Sequence, residues 1–211
     1  MQKNLVLLIF LLLAISGFAQ KKAVTETGEE VILYSNGTWK YLNAGDSAQH
    51  EIRTSAEKFT KPANAVFLLK STRFNVGFWL DPKKWQFNKS TDISSAEEFE
   101  VKLKEKDCYA IIITEKIEVP LESLKEIALK NAHDAAPDTE IIREEYRMLN
   151  GLKILCLQMA GSIKGIKFMY YGYYYSSPNG TLQYLTYTSQ NLFSTYEKEM
   201  LELLNGLTEI K

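Results

Sequence analysis

The side chains with the clearest capacity for binding chemistry are tyrosines, and five of them lie within the eight residues 168–175. Alternate residues of a β-strand point to the same face, so Tyr171, Tyr173 and Tyr175 form one set. A tyrosine ring is an apolar surface with a polar hydroxyl, which suits it to contact with a sugar or another small molecule. The pattern therefore predicts a ligand-binding face at these three residues. The alternative is a central strand whose tyrosines fill the protein core.

Groups for catalysis or metal binding are scarce. His133 lies close in sequence to Asp134, Asp138 and Glu140, and one imidazole with carboxylates can hold a divalent ion. These residues fall where a predicted helix ends, and polar residues are common in such a loop. A nucleophilic mechanism needs a base beside a serine or cysteine, and the sequence has only two histidines. We predict no catalytic residue, no metal site and no cofactor, and we expect that the protein is not an enzyme.

The two cysteines, Cys108 and Cys156, raise the question of a disulfide. In an oxidising compartment they are able to pair. Cys156 lies in the apolar run 152–157, however, where a free thiol packs as a small hydrophobic side chain. The sequence favours two free thiols and leaves the disulfide as the alternative.

The first residues have the pattern of a secretory signal peptide. Lys3 precedes the unbroken apolar run 5–15, and the small residues Gly17 and Ala19 follow it. A transmembrane helix needs roughly 20 apolar residues, and this run is shorter. We predict that residues 1–19 are removed, so that the mature chain works outside the cytoplasm, periplasmic or secreted, without stable membrane insertion. An uncleaved anchor is the alternative.

Charge and length limit the class of partner and the number of domains. The formal net charge is −1, and loss of Lys3 with the signal peptide changes it to −2. This balance gives no electrostatic basis for binding nucleic acid or an anionic lipid surface. The chain is long enough for one full domain and a small appendage.

The appendage is predicted at residues 20–43. Short runs of β-forming residues alternate with turn signals at Thr27-Gly28 and Asn36-Gly37, which indicates a three-stranded β-meander. Residues 44–64 are polar and are predicted as a linker, with the domain boundary near residue 62. The main domain is assigned to residues 65–211.

The main domain has the pattern of an antiparallel sheet with two helices. Asn150-Gly151 and Asn179-Gly180 are tight-turn signals between long β-prone runs, so the strands on either side must be antiparallel. Strands that are apolar on both faces need a layer on each side. The predicted fold class is α+β, a three-layer α/β/α sandwich around an antiparallel sheet. The predicted strands are residues 74–80, 99–104, 108–114, 140–149, 152–160, 166–176 and 182–188, and the predicted helices begin near Pro120 and Ser194.

This order of elements resembles the PsbP-like fold, which the photosystem PsbP proteins, the Ran-binding Mog protein and many secreted bacterial proteins share. The resemblance spans about residues 65–210. It rests on the Asp81-Pro82…Trp85 segment, the 149–152 turn, the aromatic strand 168–175 and the 185–188 strand before the last helix. It implies the sandwich architecture and, from the family, an extrinsic binding or assembly factor without enzymatic activity. No binding residue transfers position by position.

The predicted function is that of a secreted or periplasmic, non-enzymatic binding or assembly module with a protein partner in the cell envelope. Trp39 and Trp79 are the candidate partner surface, since both lie among turns or edge segments. The alternative is a binder of small molecules or carbohydrate that uses the tyrosine face. A hydrolase would need a clustered pair of glutamates with a raised pKa inside a cleft.

Overall fold

The structure is a computed structural model of the chain, and it describes residues 21–25, 28–34, 39–42, 52–92 and 95–210. The predicted signal peptide lies outside these residues. The chain divides into two compact units, residues 1–51 and 52–211, and each is described by itself. None of the described helices is long and apolar enough to cross a membrane.

The first unit contains a three-stranded antiparallel sheet. Its strands β1 (Lys21–Val24), β2 (Glu30–Leu33) and β3 (Trp39–Tyr41) pair in the order of the sequence. Gly28 has a φ of 96°, a left-handed value that glycine adopts readily in the turn before β2. The second predicted turn signal, Asn36-Gly37, lies outside the described residues.

The second unit is built on an eight-stranded sheet in the order β4-β10-β11-β12-β13-β9-β8-β7. The pair β4–β10 is parallel and the other neighbouring pairs are antiparallel. The bounds are β4 Thr54–Phe59, β7 Trp85–Lys89, β8 Glu97–Leu103, β9 Cys108–Glu115, β10 Glu140–Leu149, β11 Leu152–Ile163, β12 Ile166–Ser177 and β13 Gly180–Ser189.

The turn signals in the sequence explain the central strands. Asn150 and Gly151 have φ values of 49° and 87°, and a two-residue hairpin loop that matches the twist of its strands requires such left-handed values. Lys164 and Gly165, with φ of 51° and 81°, make the next turn in the same way. The predicted bounds of β10, residues 140–149, agree with the structure.

Part of the segment predicted as a linker forms an edge strand. Residues 54–59 pair in parallel with β10 as β4, and the second compact unit begins at residue 52 rather than near residue 62. Most side chains of β4 are exposed, so the strand lacks the apolar alternation that marks a strand in sequence. Backbone pairing and Phe59, whose ring centroid lies 4.3 Å from the guanidinium carbon of Arg147, hold it in place.

A second sheet and one helix share one face of the large sheet. The second sheet has the order β14-β6-β5. Its Phe78 meets Tyr184 of the large sheet edge to face, with ring centroids 5.1 Å apart. Met200 and Leu203 of the helix join the same apolar cluster. The bounds are β5 Phe67–Lys70, β6 Val76–Leu80, β14 Leu207–Glu209 and α2 Phe193–Leu204, the last after a 3₁₀ turn at Gln190–Leu192.

Helix α1 (Leu121–Ala135) packs on the opposite face. Its Leu124 and Ala128 form a second apolar cluster with Leu155, Leu157 and Tyr174. The architecture is therefore α+β and consists mostly of sheet. It differs from the predicted sandwich because the layer expected to be helix alone also contains a three-stranded sheet. Short strands such as β14 carry too few residues for a recognisable alternation.

Candidate functional site

The three tyrosines predicted as a ligand-binding face lie in the core. Tyr171, Tyr173 and Tyr175 are 1 %, 0 % and 7 % exposed, and they share an apolar cluster with Met200 and Leu203 of α2. We call this side of the large sheet the covered face. The prediction of a binding face there is wrong, because the apolar stripe of α2 and the second sheet bury these rings.

The buried polar groups of the covered face bond within the protein. The Tyr173 hydroxyl accepts a hydrogen bond from Arg147 at 2.8 Å and donates one to Asn205 at 2.9 Å. Arg147 is 3 % exposed and donates through Nε to Glu145 at 2.6 Å. Burial raises the pKa of Tyr171 to about 12. The tyrosines of this face are therefore neutral core residues with internal partners.

The opposite face has a different character beyond helix α1, on strands β8 and β7 and on the parts of β9 and β13 that the helix leaves accessible. Helix α1 packs on β10, β11 and β12 and reaches Leu185 of β13. We call the remaining surface the open patch. Its first row, perpendicular to the strands, is Gln86, Lys102, Tyr109, Tyr187 and Tyr170, and its second row is Asn88, Glu100, Ile111 and Leu185.

Three half-buried tyrosines form the middle of the first row. The rings of Tyr109 and Tyr187 are nearly parallel, with centroids 5.5 Å apart, and the ring of Tyr170 lies 5.6 Å from that of Tyr187. The ammonium of Lys102 lies 5.0 Å from the centroid of Tyr109. Cross-strand aromatic pairs stabilise a sheet. Because these rings are also accessible from solvent, they form an apolar wall on the surface.

A cavity of about 280 Å³ lies at the β7 end of the open patch. Its polar lining comes from the two neighbouring strands β7 and β8 and consists of Gln86, Asn88, Glu100 and Lys102. Tyr109 of β9 and Tyr187 of β13 supply the apolar wall. Gln86, Asn88 and Glu100 are exposed, and their side chains make no hydrogen bond to another described residue. Their donors and acceptors are therefore available to a ligand.

A second cavity, of about 180 Å³, lies between the sheet and α1. Ala128, Ala132 and Ala135 of the helix form one wall, and Ile111 and Leu185 of the sheet lie in the other. The short alanine side chains leave this space between the two elements. The open patch thus changes from polar beside β7 to apolar beside α1.

Carboxylates border the tyrosine wall. Burial, and then repulsion by Glu100, raise the pKa of Glu97. Burial also raises the pKa of Tyr187, and the neighbouring Tyr170 and the two glutamates add to that effect. Glu97 lies opposite Ile113 in the sheet and is not part of the cavity lining. Glu100 lies in the cavity lining and Glu97 outside it, so the two glutamates are not an enclosed pair in one cleft.

The two cysteines are free thiols in the core. Cys108 and Cys156 are both 0 % exposed. Burial raises the pKa of each thiol to about 12, so both stay protonated at neutral pH. The thiolate is the nucleophilic form of cysteine. Neither residue is therefore placed or ionised for nucleophilic chemistry.

The residues around His133 do not converge on a common point. The Nε2 atom of His133 lies 2.9 Å from the carbonyl oxygen of Thr139. Asp134 pairs with Lys130 at 2.6 Å, and Asp138 accepts a hydrogen bond from a backbone N–H at 2.8 Å. Within the described ranges, no three His, Cys, Asp or Glu side chains cluster as a metal site requires.

A buried carboxylate of β8 serves the fold. Glu98 is 1 % exposed and accepts hydrogen bonds of 2.6 to 2.8 Å from the hydroxyls of Ser71, Thr72 and Thr114 and from the N–H of Thr72. Burial by itself raises the pKa of this carboxyl, but the hydrogen bonds lower it overall. Arg73 donates to the carbonyl oxygen of Thr114 at 2.7 Å. Together these contacts attach the β5–β6 turn to the large sheet.

The two tryptophans predicted as a partner surface lie in different units. Trp39 of β3 is 46 % exposed, and its ring meets that of Tyr41 edge to face at 5.0 Å. Trp79 of β6 is half-buried, and the ammonium of Lys61 lies 5.0 Å from its ring centroid. Their role in partner binding stays a prediction.

Sequence analysis missed the residues of the open patch. Tyr109 and Tyr187 are distant in sequence, and only the pairing of β9 with β13 makes them neighbours. One signal was present in the sequence. The alternation in β8 directs Glu100 and Lys102 to one face, and charged residues on one side of a strand mark the side that faces solvent.

Comparison of the structure with solved structures defines the class of fold. Cyanobacterial PsbP (CyanoP) from Synechocystis sp. PCC 6803 aligns with a TM-score of 0.54 at 13 % identity, over 70 % of this chain and 94 % of that one. The chain therefore has a PsbP-like fold, as the sequence predicted. Identity at this level concerns the fold alone.

Two further structures align with lower scores. LpqN of Mycobacterium tuberculosis, involved in cell envelope biogenesis, has a TM-score of 0.48 at 11 % identity, over 62 % of this chain and 80 % of that one. The immunity protein TplEi of T6SS from Pseudomonas aeruginosa has a TM-score of 0.39 at 12 % identity, over 98 % and 84 %. No protein-family model and no curated protein sequence matches the chain.

Proposed function

We propose that this protein is a non-enzymatic binding module that works outside the cytoplasm and contacts its ligand through the open patch. The observation that carries the proposal is the row Tyr109, Tyr187 and Tyr170, whose rings remain accessible beside helix α1. Contiguous exposed apolar surface on a folded protein marks an interaction site. A partner that covers this row removes it from water and so gains binding free energy.

The chemistry of the titratable groups supports a role without catalysis. The thiols of Cys108 and Cys156 are buried and protonated. His133 is occupied by a backbone carbonyl oxygen, and the carboxylate of Glu98 is bonded to hydroxyls that belong to the fold. His133 and Glu98 thus have structural partners, and the buried thiols lack the adjacent base that nucleophilic catalysis needs.

Work outside the cytoplasm is proposed from the sequence. The apolar run 5–15 between Lys3 and the small residues Gly17 and Ala19 is typical of a signal peptide. The balanced charge of the chain gives no electrostatic basis for binding nucleic acid.

Photocrosslinking in the native cell envelope tests the proposal. A photoreactive benzoylphenylalanine at Tyr187 of the open patch should give an adduct. The matched control places it at Lys198 of α2, whose side chain is 83 % exposed, and should give none. Adducts at Trp39 or Trp79 without one at Tyr187 would move the contact surface to the tryptophans, and no adduct at any of these positions would contradict the proposal.

A further inference from the structure

We infer that the 280 Å³ cavity of the open patch is a binding site for a neutral oligosaccharide. The inference rests on the proposed function and names the chemical class of the ligand.

The polar lining matches the hydrogen-bonding pattern of a sugar. Gln86 and Asn88 each carry a carboxamide, which offers both donors and an acceptor, Glu100 offers acceptors and Lys102 offers donors. A sugar hydroxyl both donates and accepts, so a ring with several hydroxyls can use all four side chains. The side chains of Gln86, Asn88 and Glu100 have no hydrogen-bond partner among the described residues, so binding replaces water and breaks no internal bond.

The tyrosine wall matches the other surface of a sugar. A pyranose ring has C–H groups that are apolar, and these pack well against aromatic side chains. Tyr109 and Tyr187 line the same cavity as the polar groups, and their rings are held by each other at 5.5 Å. The cavity therefore offers an apolar wall and a polar rim to one ligand.

The charges around the cavity disfavour a ligand with a net charge. Glu100 and Lys102 lie on the same face of β8, two residues apart, so the lining has no net charge. An anion would meet Glu100 with Glu97 nearby, and a cation would meet Lys102, which already lies over Tyr109. A purely apolar ligand would bury the carboxamides without partners, which costs free energy. A neutral and polar ligand fits all of these groups.

The strand register holds the lining in a fixed arrangement. Gln86 pairs with Lys102 and Lys102 with Tyr109, while Asn88 pairs with Glu100. Directly opposed residues in an antiparallel pair have Cβ atoms about 5 Å apart. Because backbone pairing sets these distances, little ordering of the chain is needed when a sugar binds, and this favours affinity.

To test the inference, the protein is titrated with neutral trisaccharides. Binding is measured from the heat released, by calorimetry, and from changes in the backbone amide resonances, by NMR. The panel contains β-1,4-linked glucose, xylose, mannose and N-acetylglucosamine trisaccharides and α-1,4-linked glucose. We expect at least one to bind with a dissociation constant in the micromolar-to-millimolar range and to shift resonances of β7, β8 and β9. Asn88→Ala and Tyr187→Ala should each weaken binding about tenfold or more. Asn179→Ala, at an exposed turn, is the matched control and should bind as the wild type does.

The outcomes separate this inference from the proposed function. If no trisaccharide binds at millimolar concentration, or if binding survives both Asn88→Ala and Tyr187→Ala in variants that keep their circular dichroism spectrum, the saccharide site is wrong. A protein adduct at Tyr187 in the envelope would then still support the binding module. New reducing ends in the titrated sample would keep the saccharide site and contradict the non-enzymatic role.

Discussion

Glu97 and Glu98 are adjacent in β8 but lie on opposite faces of the large sheet, and their surroundings differ as the two faces do. Glu98 points to the covered face, is 1 % exposed and has a lowered pKa, because its hydrogen bonds outweigh the effect of burial. Glu97 points to the open patch, has no ion-pair partner in the described part of the chain and has a raised pKa. The first carboxylate is bonded into the fold, whereas the second remains available on the surface.

The tyrosines show the same division. On the covered face, the Tyr173 hydroxyl has two internal hydrogen-bond partners. On the open patch, the rings of Tyr109 and Tyr187 contact each other and remain accessible. Residue type alone therefore does not identify a binding residue in this protein. The side of the sheet on which a residue lies decides whether it serves stability or binding.

The largest expected difference between the faces is in stability. Tyr173→Ala removes a fully buried ring with its hydrogen bonds and should lower the free energy of unfolding by about 3–5 kcal/mol. Tyr170→Ala, in the same strand on the open patch, should lower it by about 1 kcal/mol. Urea denaturation of both variants measures the difference. Equal losses would mean that the open patch is as much a part of the core as the covered face.

The reactivity of a thiol should differ between two adjacent positions of β9, because one faces the core and the other the open patch. Cys108 is buried, and its thiol has a pKa of about 12, against about 8.5 for a free cysteine, so its thiolate fraction at neutral pH is lower by roughly three thousandfold. The folded wild type should therefore resist iodoacetamide and react only when unfolded. Tyr109→Cys places a thiol on the open patch and should be alkylated in the folded protein. Mass spectrometry of the labelled peptides measures which cysteine has reacted. Rapid labelling of Cys108 in the folded wild type would show that its thiol is not buried.

The pH dependence of stability should show how much the charge of Glu98 contributes to the free energy of unfolding. Its folded pKa is lower than its unfolded pKa, so its contribution is fully present above about 4.5 and is lost as pH falls through the folded value. Glu98→Gln should lower the free energy of unfolding at pH 7 by about 1–3 kcal/mol and by less at pH 3, which lies below the unfolded pKa. Denaturant titrations at both pH values provide the measurement. A loss that is the same at both would show that the charge is not responsible.

Glu97→Gln is the matched substitution on the other face and should have the smallest effect. Because the folded pKa of Glu97 is raised, its charge opposes folding at neutral pH, and the penalty disappears as pH falls below the unfolded pKa. The variant should be slightly more stable than the wild type at pH 7 and equal to it near pH 3. A loss of stability at pH 7 would indicate a favourable contact of the carboxylate.

The elements with strong turn signals could be predicted from sequence, and the weak edge strands could not. Asn150-Gly151 fixed the hairpin of β10 and β11, because few dipeptides adopt two left-handed conformations in succession. By contrast, β4 has a single large apolar residue, Phe59, and its pairing partner is distant in the chain. Tertiary pairing, rather than local preference, makes this segment a strand.

The sequence of β12 alone does not indicate which face of the large sheet is accessible to a ligand. Tyr170 and Tyr174 lie on one face and Tyr171, Tyr173 and Tyr175 on the other, so tyrosines occur on both faces. The deciding information is the register that places Tyr187 and Tyr109 beside Lys102. Register depends on contacts between distant segments, which one sequence does not reveal.

The parallel edge strand β4 has a consequence for how the domain folds. Its Thr54 pairs with Tyr146, so the contact closes a loop of about 90 residues, and such closure is entropically unfavourable and slow. We expect the hairpin of β10 and β11 to form first from its local turn, and β4 to join late. Until then β10 is an unpaired edge that can add a strand from another chain. The lifetime of that intermediate, rather than the stability of the finished domain, would then govern aggregation during refolding.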